Sequence, residues 1–336
     1  MDSQSDRSES RSASGLILIV LTLFSWSSVP LFLRYFAGYL DGWTANGWRY
    51  GISAIFWAPV VIVGLLRRTL PRGLWIAAIV PSAFNCVAQS MFAWAPYFIE
   101  PGLLTFMLRS HIVFVTLGAY LLFPSERFVL RTKEFWIGIV IVFLGAAGVL
   151  LLGDEPPRGA TAIGVFLGLA SGALYAGYAL SVRYYMHEVH PIVAFSAISL
   201  LTAAVLVSTM LVAGKNFGLG VTTLSGGQLL LLTASAFIGI AFSHAMYYAG
   251  IVRLGVSMSS GIILLQPILT SIASFFLFDE RLAGVQWFCG LASLCGAGVL
   301  LAAQRKAAGV AKVDTTVESD QDAGRMVAGV LVGEKA

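Results

Sequence analysis

The chain has 336 residues, of which 58% are hydrophobic and only 11% are charged, and its mean hydropathy is +0.84. A soluble domain carries about a quarter charged residues, so this composition excludes an ordinary water-soluble enzyme and predicts a polytopic membrane protein. The net charge of +4 does not indicate a nucleic-acid partner, because most Lys and Arg residues lie in short loops, where they set membrane topology.

Ten apolar segments are long enough to cross a bilayer, since about 20 helical residues span about 30 Å of hydrocarbon. Their continuity also excludes a β-barrel, whose strands alternate over short segments. The fold class is therefore predicted to be all-α, with a disordered tail over 1–14, a linker over 154–160 and a cytoplasmic tail over 304–336. We predict spans 1 to 10 at residues 15–36, 44–66, 73–95, 102–123, 135–153, 161–182, 191–213, 228–250, 256–278 and 283–303.

The distribution of positive charge predicts the orientation. Of the 21 Lys and Arg residues, 15 lie on the side of the two termini, 4 lie on the opposite side and 2 lie inside spans. Positive residues accumulate in cytoplasmic loops, so both termini are expected in the cytoplasm and the chain in a cell (inner or plasma) membrane.

The two halves of the sequence repeat with an offset near 150 residues. The segment Leu122–Phe128 matches Leu277–Leu282, and further pairs follow the same order. These pairs are Trp136 with Trp287, Gly145 with Gly296, Ser82 with Ser235, Gly102 with Gly255 and Arg34 with Arg183. Five spans is an odd number, so the repeats 15–153 and 161–303 must be inverted in the membrane. Inverted repeats are typical of secondary transporters.

The end of each half, with Glu-Arg, a Trp, two Gly residues and Val-Leu-Leu, resembles the EamA domains of the drug/metabolite transporter superfamily. Trp26, its counterpart Tyr175 and the pair Gln266-Pro267 fit the same resemblance. It implies transport of small metabolites without ATP and a central cavity lined largely by spans 1, 3, 4, 6, 8 and 9. Span 4 has His111-Ile112 where span 9 has Gln266-Pro267, so we expect the proline kink to be missing from the first half.

Two arginines are predicted inside spans, where a charge needs a physical reason. Arg109 lies about seven residues into span 4, and it either bonds to carbonyls and polar neighbours or receives an anionic group of the substrate. Arg49 is closer to the outer end of span 2 and is expected to snorkel to the surface. No Asp or Glu lies in the core of a span, which favours an anionic substrate, a carboxylate over a phosphate.

Other polar and aromatic residues inside spans are candidates for the substrate site. His111 and His244 either couple transport to protons or form hydrogen bonds between helices. Asn85 and Gln89 share one face of span 3. The predicted substrate-binding residues are Trp26, Asn85, Gln89, Arg109, His111, Tyr175, Tyr178, His244, Tyr248 and Gln266. The repeated small residues Gly164, Gly168 and Gly172 predict a close helix contact, within the chain or in a homodimer.

These features predict a secondary transporter that exports a small, carboxylate-bearing, amino-acid-like metabolite by alternating access. The alternatives are a phosphorylated or nucleotide-like anion, and amines or drugs. Protons are one candidate coupling ion, and the chain could act as a monomer or a homodimer. No ATP-binding loop or hydrolase motif occurs, so no enzymatic activity is expected. No cofactor or metal is expected either, and Cys86, Cys289 and Cys295 lie in apolar runs.

Overall fold

The computed structural model describes residues 2–123, 132–153 and 162–303. Within these ranges, ten helical segments are long and apolar enough to cross a membrane and no strand is present, which confirms the predicted fold class. Spans 1 to 10 are Ala13–Phe36, Gly42–Leu66, Leu74–Tyr97, Pro101–Leu122, Lys133–Leu151, Ala162–Tyr185, Pro191–Ala213, Gly226–Leu254, Met258–Phe278 and Gly284–Ala303. The predicted linker 154–160 and tail 304–336 lie outside the described residues.

The helix of span 1 begins earlier than its apolar segment. It runs over Asp2–Phe36, whereas the membrane-spanning part begins at Ala13. An established helix extends by one hydrogen bond per residue without a new nucleation step, so the polar N-terminal residues can continue the long apolar helix.

Spans 4 and 9 are each broken into two half-helices at equivalent positions of the repeat. Span 4 consists of the half-helices Pro101–Leu108 and His111–Leu122. Span 9 consists of the half-helices Val256–Ile263 and Gln266–Phe278. At both breaks a backbone N–H bonds three residues back, from Ser110 to Met107 and from Leu265 to Ile262, each at 3.1 Å.

The expectation that the first half lacks this kink is therefore wrong. In span 9, Pro267 has no N–H and cannot donate to the carbonyl of Ile263. In span 4, which has no proline there, the hydroxyl of Ser110 donates to the carbonyl of Met107 at 2.7 Å. A serine side chain that bonds the preceding turn can bend a helix, and so both halves reach the same break by different chemistry.

Span 8 is continuous but changes its winding in the middle. A π-helical segment, Phe237–Phe242, lies between the α-helices Gly226–Ala236 and Ser243–Leu254. Such a bulge inserts an extra residue into the helix and often accompanies functional sites. Here it brings Gly239 to the centre of the bundle.

Contacts between spans follow the symmetry of an inverted repeat. Spans 2 and 7 pack along each other, as do spans 4 and 9, and each pair maps onto itself when the halves are exchanged. The contact between spans 3 and 6 has its counterpart between spans 8 and 1, and the contact between spans 4 and 6 has its counterpart between spans 9 and 1. The two halves are therefore related by a pseudo-twofold axis, as the repeat predicts.

The glycines of span 6 form an interface within the chain. A Cβ on Gly164 would lie 2.9 Å from the Cβ of Ile99, and one on Gly168 would lie 3.2 Å from the Cβ of Met107. Small residues let two helix backbones approach closely in a membrane. This interface fixes span 6 against span 4, next to the break at Arg109.

One end of the bundle is held together by polar contacts between loops. Arg34 pairs with Glu100 at 2.9 Å, and Asp41 accepts a hydrogen bond from the backbone N–H of Lys215 at 3.1 Å. Burial raises the pKa of Glu100 above its ordinary value, and the neighbouring Arg34 opposes that rise. The first contact lies within the first half, and the second joins the two halves on the same face of the membrane bundle.

Glu280 makes the tightest of these contacts between the halves. Its carboxylate accepts the backbone N–H groups of Gly102 and Leu103, at 2.9 and 3.0 Å, and so caps the first turn of span 4. A Cβ on Gly102 would lie 2.7 Å from a Glu280 oxygen, so only glycine fits there. Burial raises the pKa of Glu280, although both backbone hydrogen bonds favour the charged form.

Candidate functional site

A cavity of about 220 Å³ lies between the two halves at the centre of the bundle. Spans 1, 3, 4, 6, 8 and 9 all contribute to its wall, and span 2 contributes Arg49. The structure brings nine of the ten predicted site residues together around this cavity: Trp26, Asn85, Gln89, Arg109, His111, Tyr175, Tyr178, His244 and Gln266. The remaining wall is formed by Val29, Phe92, Leu108, Gly239 and Ile240.

Arg109 lies at the break of span 4 and bonds to the break of span 9. Its Nη2 donates to Oε1 of Gln266 at 2.6 Å, and its Nη1 donates to the carbonyl of Ile263 at 3.3 Å. That carbonyl lacks its usual helical donor because Pro267 has no N–H. Of the two interpretations of Arg109, the geometry matches bonding to carbonyls and polar neighbours, although its guanidinium also borders the cavity.

Gln266 connects three spans through its side-chain amide. Its oxygen accepts from Arg109, and its nitrogen donates to the backbone carbonyl of Trp26 at 3.0 Å. Gln266 is buried, and both polar ends of its amide have a partner. Because span 1 runs unbroken past this point, the amide fixes the breaks of spans 4 and 9 against span 1.

The expectation that Arg49 reaches the surface is wrong. Its side chain is 1% exposed and lines the cavity from span 2. Its Nε donates to the hydroxyl of Ser235 at 3.1 Å, and its buried Nη1 has no hydrogen-bond partner among the described residues. Asp41 caps the helix of span 2, which begins at Gly42, so Arg49 lies two turns inside the membrane-spanning helix.

Aromatic side chains form one side of the cavity. The rings of Trp26 and His244 meet edge to face with centroids 5.5 Å apart, and the ring of Phe195 stacks on His244 at 4.2 Å. His244 Nδ1 lies 2.9 Å from the carbonyl of Ile240. A carbonyl can only accept, so Nδ1 carries the hydrogen and Nε2 of the neutral ring is left as an acceptor.

Tyr248, the tenth predicted site residue, is not among the residues that line the cavity. It lies one helical turn beyond His244, and its ring packs edge-on to Phe195 at a centroid distance of 6.1 Å. Together with Tyr50 and Trp57 it belongs to an apolar cluster between spans 2, 7 and 8. Its ring is therefore directed to the side of span 8 that packs against spans 2 and 7.

The amides of span 3 differ in their surroundings. Asn85 donates to the hydroxyl of Thr202 at 3.1 Å, which ties span 3 to span 7. The backbone carbonyl of Gln89 accepts from Asn46 at 3.2 Å, while the side chain of Gln89 borders the cavity. Asn85 therefore has a structural partner, and the amide of Gln89 is available to a molecule in the cavity.

The charge of the cavity wall is one-sided. Two guanidinium groups, those of Arg49 and Arg109, border the cavity, and no Asp or Glu is among the described residues that line it. No group of His, Cys, Asp and Glu suited to a metal ion occurs in the part of the chain that the structure describes. The arrangement is suited to binding a small anion.

Sequence reasoning missed Arg49 as a wall residue, along with Gly239 and the apolar residues Val29, Phe92 and Ile240. A signal for Arg49 was present in the sequence. It is an intramembrane cation in a chain whose spans have no acidic residue at their cores, and such residues usually face the bundle interior. Gly239 had no comparable signal, because its position depends on the π-helical segment.

Comparison with known proteins identifies the family. The sequence profile of the EamA-like transporter family matches residues 13–151 and 162–302, one match for each half. No curated protein matches the sequence significantly.

The comparison of structures finds 22 solved chains that match. One of them, a crystal structure of a protein, aligns with a TM-score of 0.55 at 16% sequence identity. The alignment covers 85% of this chain and 96% of that one. At this identity the similarity shows the fold alone. The two profile matches cover most of the chain, and so it belongs to the EamA-like transporter family of ten-span membrane transporters of small molecules.

Proposed function

We propose that this chain carries a small, carboxylate-bearing metabolite, an amino acid or a related organic acid, across the cell membrane by alternating access. The observation that carries the proposal is the one-sided charge of the cavity, with two guanidinium groups and no acidic residue among its described wall residues. A buried charge without a partner is costly, and a substrate carboxylate supplies the missing partner. Secondary transporters with inverted repeats bind substrate near the midplane, where this cavity lies between the halves.

The proposed movement is a rocking of the two halves about the cavity. The breaks in spans 4 and 9 meet at Arg109 and Gln266, so a bound anion contacts the points where both helices can bend. On one face, the contacts of Asp41 with Lys215 and of Glu280 with Gly102 join the two halves. These contacts would separate when the cavity opens to that face.

We propose export as the direction and a cytoplasmic position for both termini. The excess of Lys and Arg on the side of the termini, 15 against 4, supports the orientation. Net export follows from a substrate gradient directed outward, from exchange or from coupling to protons. Fusion of a reporter that is active only in the cytoplasm to either terminus checks the orientation.

A second candidate is transport of a phosphorylated or nucleotide-like anion. It is favoured by one observation, namely that Arg49 and Arg109 border the same cavity. Phosphate recognition commonly uses several basic donors, whereas both terminal nitrogens of Arg109 already bond to Gln266 and Ile263. A single carboxylate therefore fits the free donors better.

Thermal stabilisation of the purified protein tests the proposal. A ligand at a hundred times its Kd adds about 2.7 kcal/mol to the folded state, which raises the melting temperature measurably. We expect amino acids or organic acids to stabilise the protein and phosphate esters to do so less. Stabilisation by amines alone would contradict a carboxylate substrate and support export of amines or drugs.

A further inference from the structure

We propose that the cavity selects organic acids with a net negative charge over zwitterions, and that Arg49 is the residue that binds their carboxylate. This inference rests on the proposed transport function and narrows its substrate class. The sequence favours Arg109 as the residue that receives an anionic group of the substrate, whereas this inference assigns that role to Arg49. Three features of the described residues carry it: the free nitrogens of Arg49, the occupied nitrogens of Arg109 and the charge of the cavity wall.

Arg49 presents its terminal nitrogens without a protein acceptor. Its only hydrogen bond to a described residue runs from Nε to Ser235, at 3.1 Å, while Nη1 is buried and has no partner. A Cβ on Gly239 would lie 3.1 Å from Nη2, so this glycine leaves space beside the guanidinium. The terminal nitrogens thus carry N–H groups that no described protein atom accepts, and a guanidinium binds a carboxylate through two parallel hydrogen bonds once the carboxylate reaches both.

Arg109 offers a poorer fork. Gln266 and the carbonyl of Ile263 each take one N–H of its Nη2 and Nη1, which holds the guanidinium against the break of span 9, and the buried Nε has no partner. These bonds connect the two half-helix breaks. Arg109 is therefore a positioning residue that holds span 4 against span 9 and adds positive charge to the cavity.

The charge of the wall separates an anion from a zwitterion. A carboxylate balances one of the two guanidinium charges. An α-ammonium group on the same molecule adds a further positive charge, and no acidic side chain is among the described wall residues to receive it. The carboxylates of Glu100 and Glu280 lie in the loops beyond the spans and bind Arg34 and backbone N–H groups there.

The rest of the wall suits an apolar body. Trp26, Phe92, Tyr175 and Val29 line the cavity, and the rings of Phe92 and Tyr175 meet edge to face with centroids 6.1 Å apart. Such a wall favours a compact hydrocarbon or aromatic group next to the carboxylate. The proposed ligand is thus a small monocarboxylate whose remaining surface is largely apolar.

Three probes with the same phenylethyl body isolate the charge: 3-phenylpropanoate is an anion, phenylalanine is a zwitterion and 2-phenylethylamine is a cation. Isothermal titration of the purified full-length protein at neutral pH measures the Kd of each. We expect 3-phenylpropanoate to bind at least about tenfold more tightly than phenylalanine, and the amine not to bind. The matched set 4-methylpentanoate, leucine and 3-methylbutylamine repeats the test with a smaller, aliphatic body.

Matched variants of the two arginines isolate the binding residue. Arg49→Gln should weaken binding of 3-phenylpropanoate at least about thirtyfold, while Arg109→Gln should weaken it less than about fivefold. Arg49→Lys keeps the charge without the planar fork and should give an intermediate Kd. Elution of each variant as a single peak in detergent confirms that it is folded.

Each outcome decides between the proposals. Equal binding of phenylalanine and 3-phenylpropanoate would overturn the selection of net anions and leave carboxylate transport intact. A larger loss in Arg109→Gln than in both Arg49 variants would overturn the role of Arg49. Binding of the amines alone would contradict both the inference and the proposed function. If neither carboxylate binds, the inference is overturned. The proposed function is then tested separately, by measuring transport of other substrates.

Discussion

At the scale of single residues, the centre of this protein contains a positive charge that its own side chains do not balance. Arg49 is fully buried in the wall of the cavity, with one hydrogen bond to Ser235. Arg109 bonds to Gln266 and to a carbonyl that Pro267 leaves without a donor. The difference between the two arginines lies in their neighbours, since both are intramembrane cations of the same chemical type.

Gly239 keeps the space beside Arg49 open, and an added methyl group should close it. A Cβ at this position would lie 2.8 Å from Cγ2 of Val29 and 3.1 Å from Nη2 of Arg49. We expect Gly239→Ala to weaken binding of 3-phenylpropanoate by about tenfold or more, as overpacking moves the guanidinium. Isothermal titration measures this. Gly261→Ala is the matched control, because no atom lies within 4 Å of its added Cβ, and equal losses in both variants would contradict the role of Gly239.

A carboxylate placed at Gln266 should compete with the substrate for positive charge. In Gln266→Glu the new carboxylate replaces an amide oxygen that lies 2.6 Å from Nη2 of Arg109. We expect the affinity for 3-phenylpropanoate to fall by less than about fivefold, as in Arg109→Gln, because one of the two cavity charges is then neutralised. Gln266→Met, which removes the amide without adding charge, controls for the lost bonds. Equal affinities in the Glu and Met variants would show that the charge of the wall does not select the ligand.

At the scale of helices, the sequence predicts the spans well because each is defined by its own composition. Nine of the predicted site residues also meet around one cavity, since the repeat indicates which faces oppose each other. A span 2 that begins at residue 44 places Arg49 close to the membrane surface. In the structure Asp41 caps this helix at Gly42, which puts Arg49 deeper in the span. The kink in span 4 was not predictable, because it depends on the hydroxyl of Ser110 and on contact with span 6, which are tertiary features.

The cap that Glu280 forms on span 4 should contribute to stability. Glu280→Ala leaves the buried N–H groups of Gly102 and Leu103 without their acceptor, and we expect a loss of about 1–3 kcal/mol of unfolding free energy. Glu280→Gln keeps one oxygen acceptor and should lose less. Thermal unfolding in detergent measures both. Arg281→Ala, which removes an exposed ion pair with Asp279 in the same loop, should leave the melting temperature nearly unchanged.

Glu280 should also make stability depend on pH. Its pKa in the folded state is raised above the ordinary value of 4.5, first because of burial. The folded state therefore binds its proton more tightly than the unfolded state. The resulting stability is fully present below about pH 4.5 and is lost as pH rises through the raised pKa. Glu280→Gln stays neutral, so the melting temperature of the native protein minus that of this variant should decrease from pH 4.5 to pH 7. A difference that increases with pH would contradict this sign.

At the scale of the whole molecule, alternating access requires the face that contains Glu280 to open. The amide of Gln228 at the start of span 8 lies 3.4 Å from the hydroxyl of Tyr35 at the end of span 1, so this pair joins the two halves on that face. In a variant whose native cysteines are replaced, Tyr35→Cys with Gln228→Cys should be bridged by a short, cleavable bifunctional thiol reagent. We expect bridging to stop transport, and reduction of the bridge to restore it. Each single cysteine serves as a control, and full transport by the bridged protein would contradict a rocking movement at this face.

The symmetry of the contacts is consistent with the proposed movement, in which one chain presents its cavity to either side in turn. Spans 3 and 6 pack as spans 8 and 1 do, and the breaks of spans 4 and 9 meet each other at the centre. Two nearly equivalent halves around a central cavity would provide two conformations of similar energy. In the proposed function, the substrate would bind between wall residues of both halves, which include Arg49 and Gln89 from the first and Gly239 and His244 from the second.

Solute counterflow tests the transport of a carboxylate most directly. Proteoliposomes that contain the purified protein are loaded with an unlabelled carboxylate, either 3-phenylpropanoate or phenylalanine, and diluted into a trace of the same compound in labelled form. With the native protein we expect transient accumulation of labelled 3-phenylpropanoate and weaker accumulation of labelled phenylalanine, and little or none of either with Arg49→Gln or with empty liposomes. Accumulation of labelled 2-phenylethylamine in place of the carboxylates, or accumulation that is unchanged in Arg49→Gln, would contradict a carboxylate transporter whose cavity binds its substrate through Arg49.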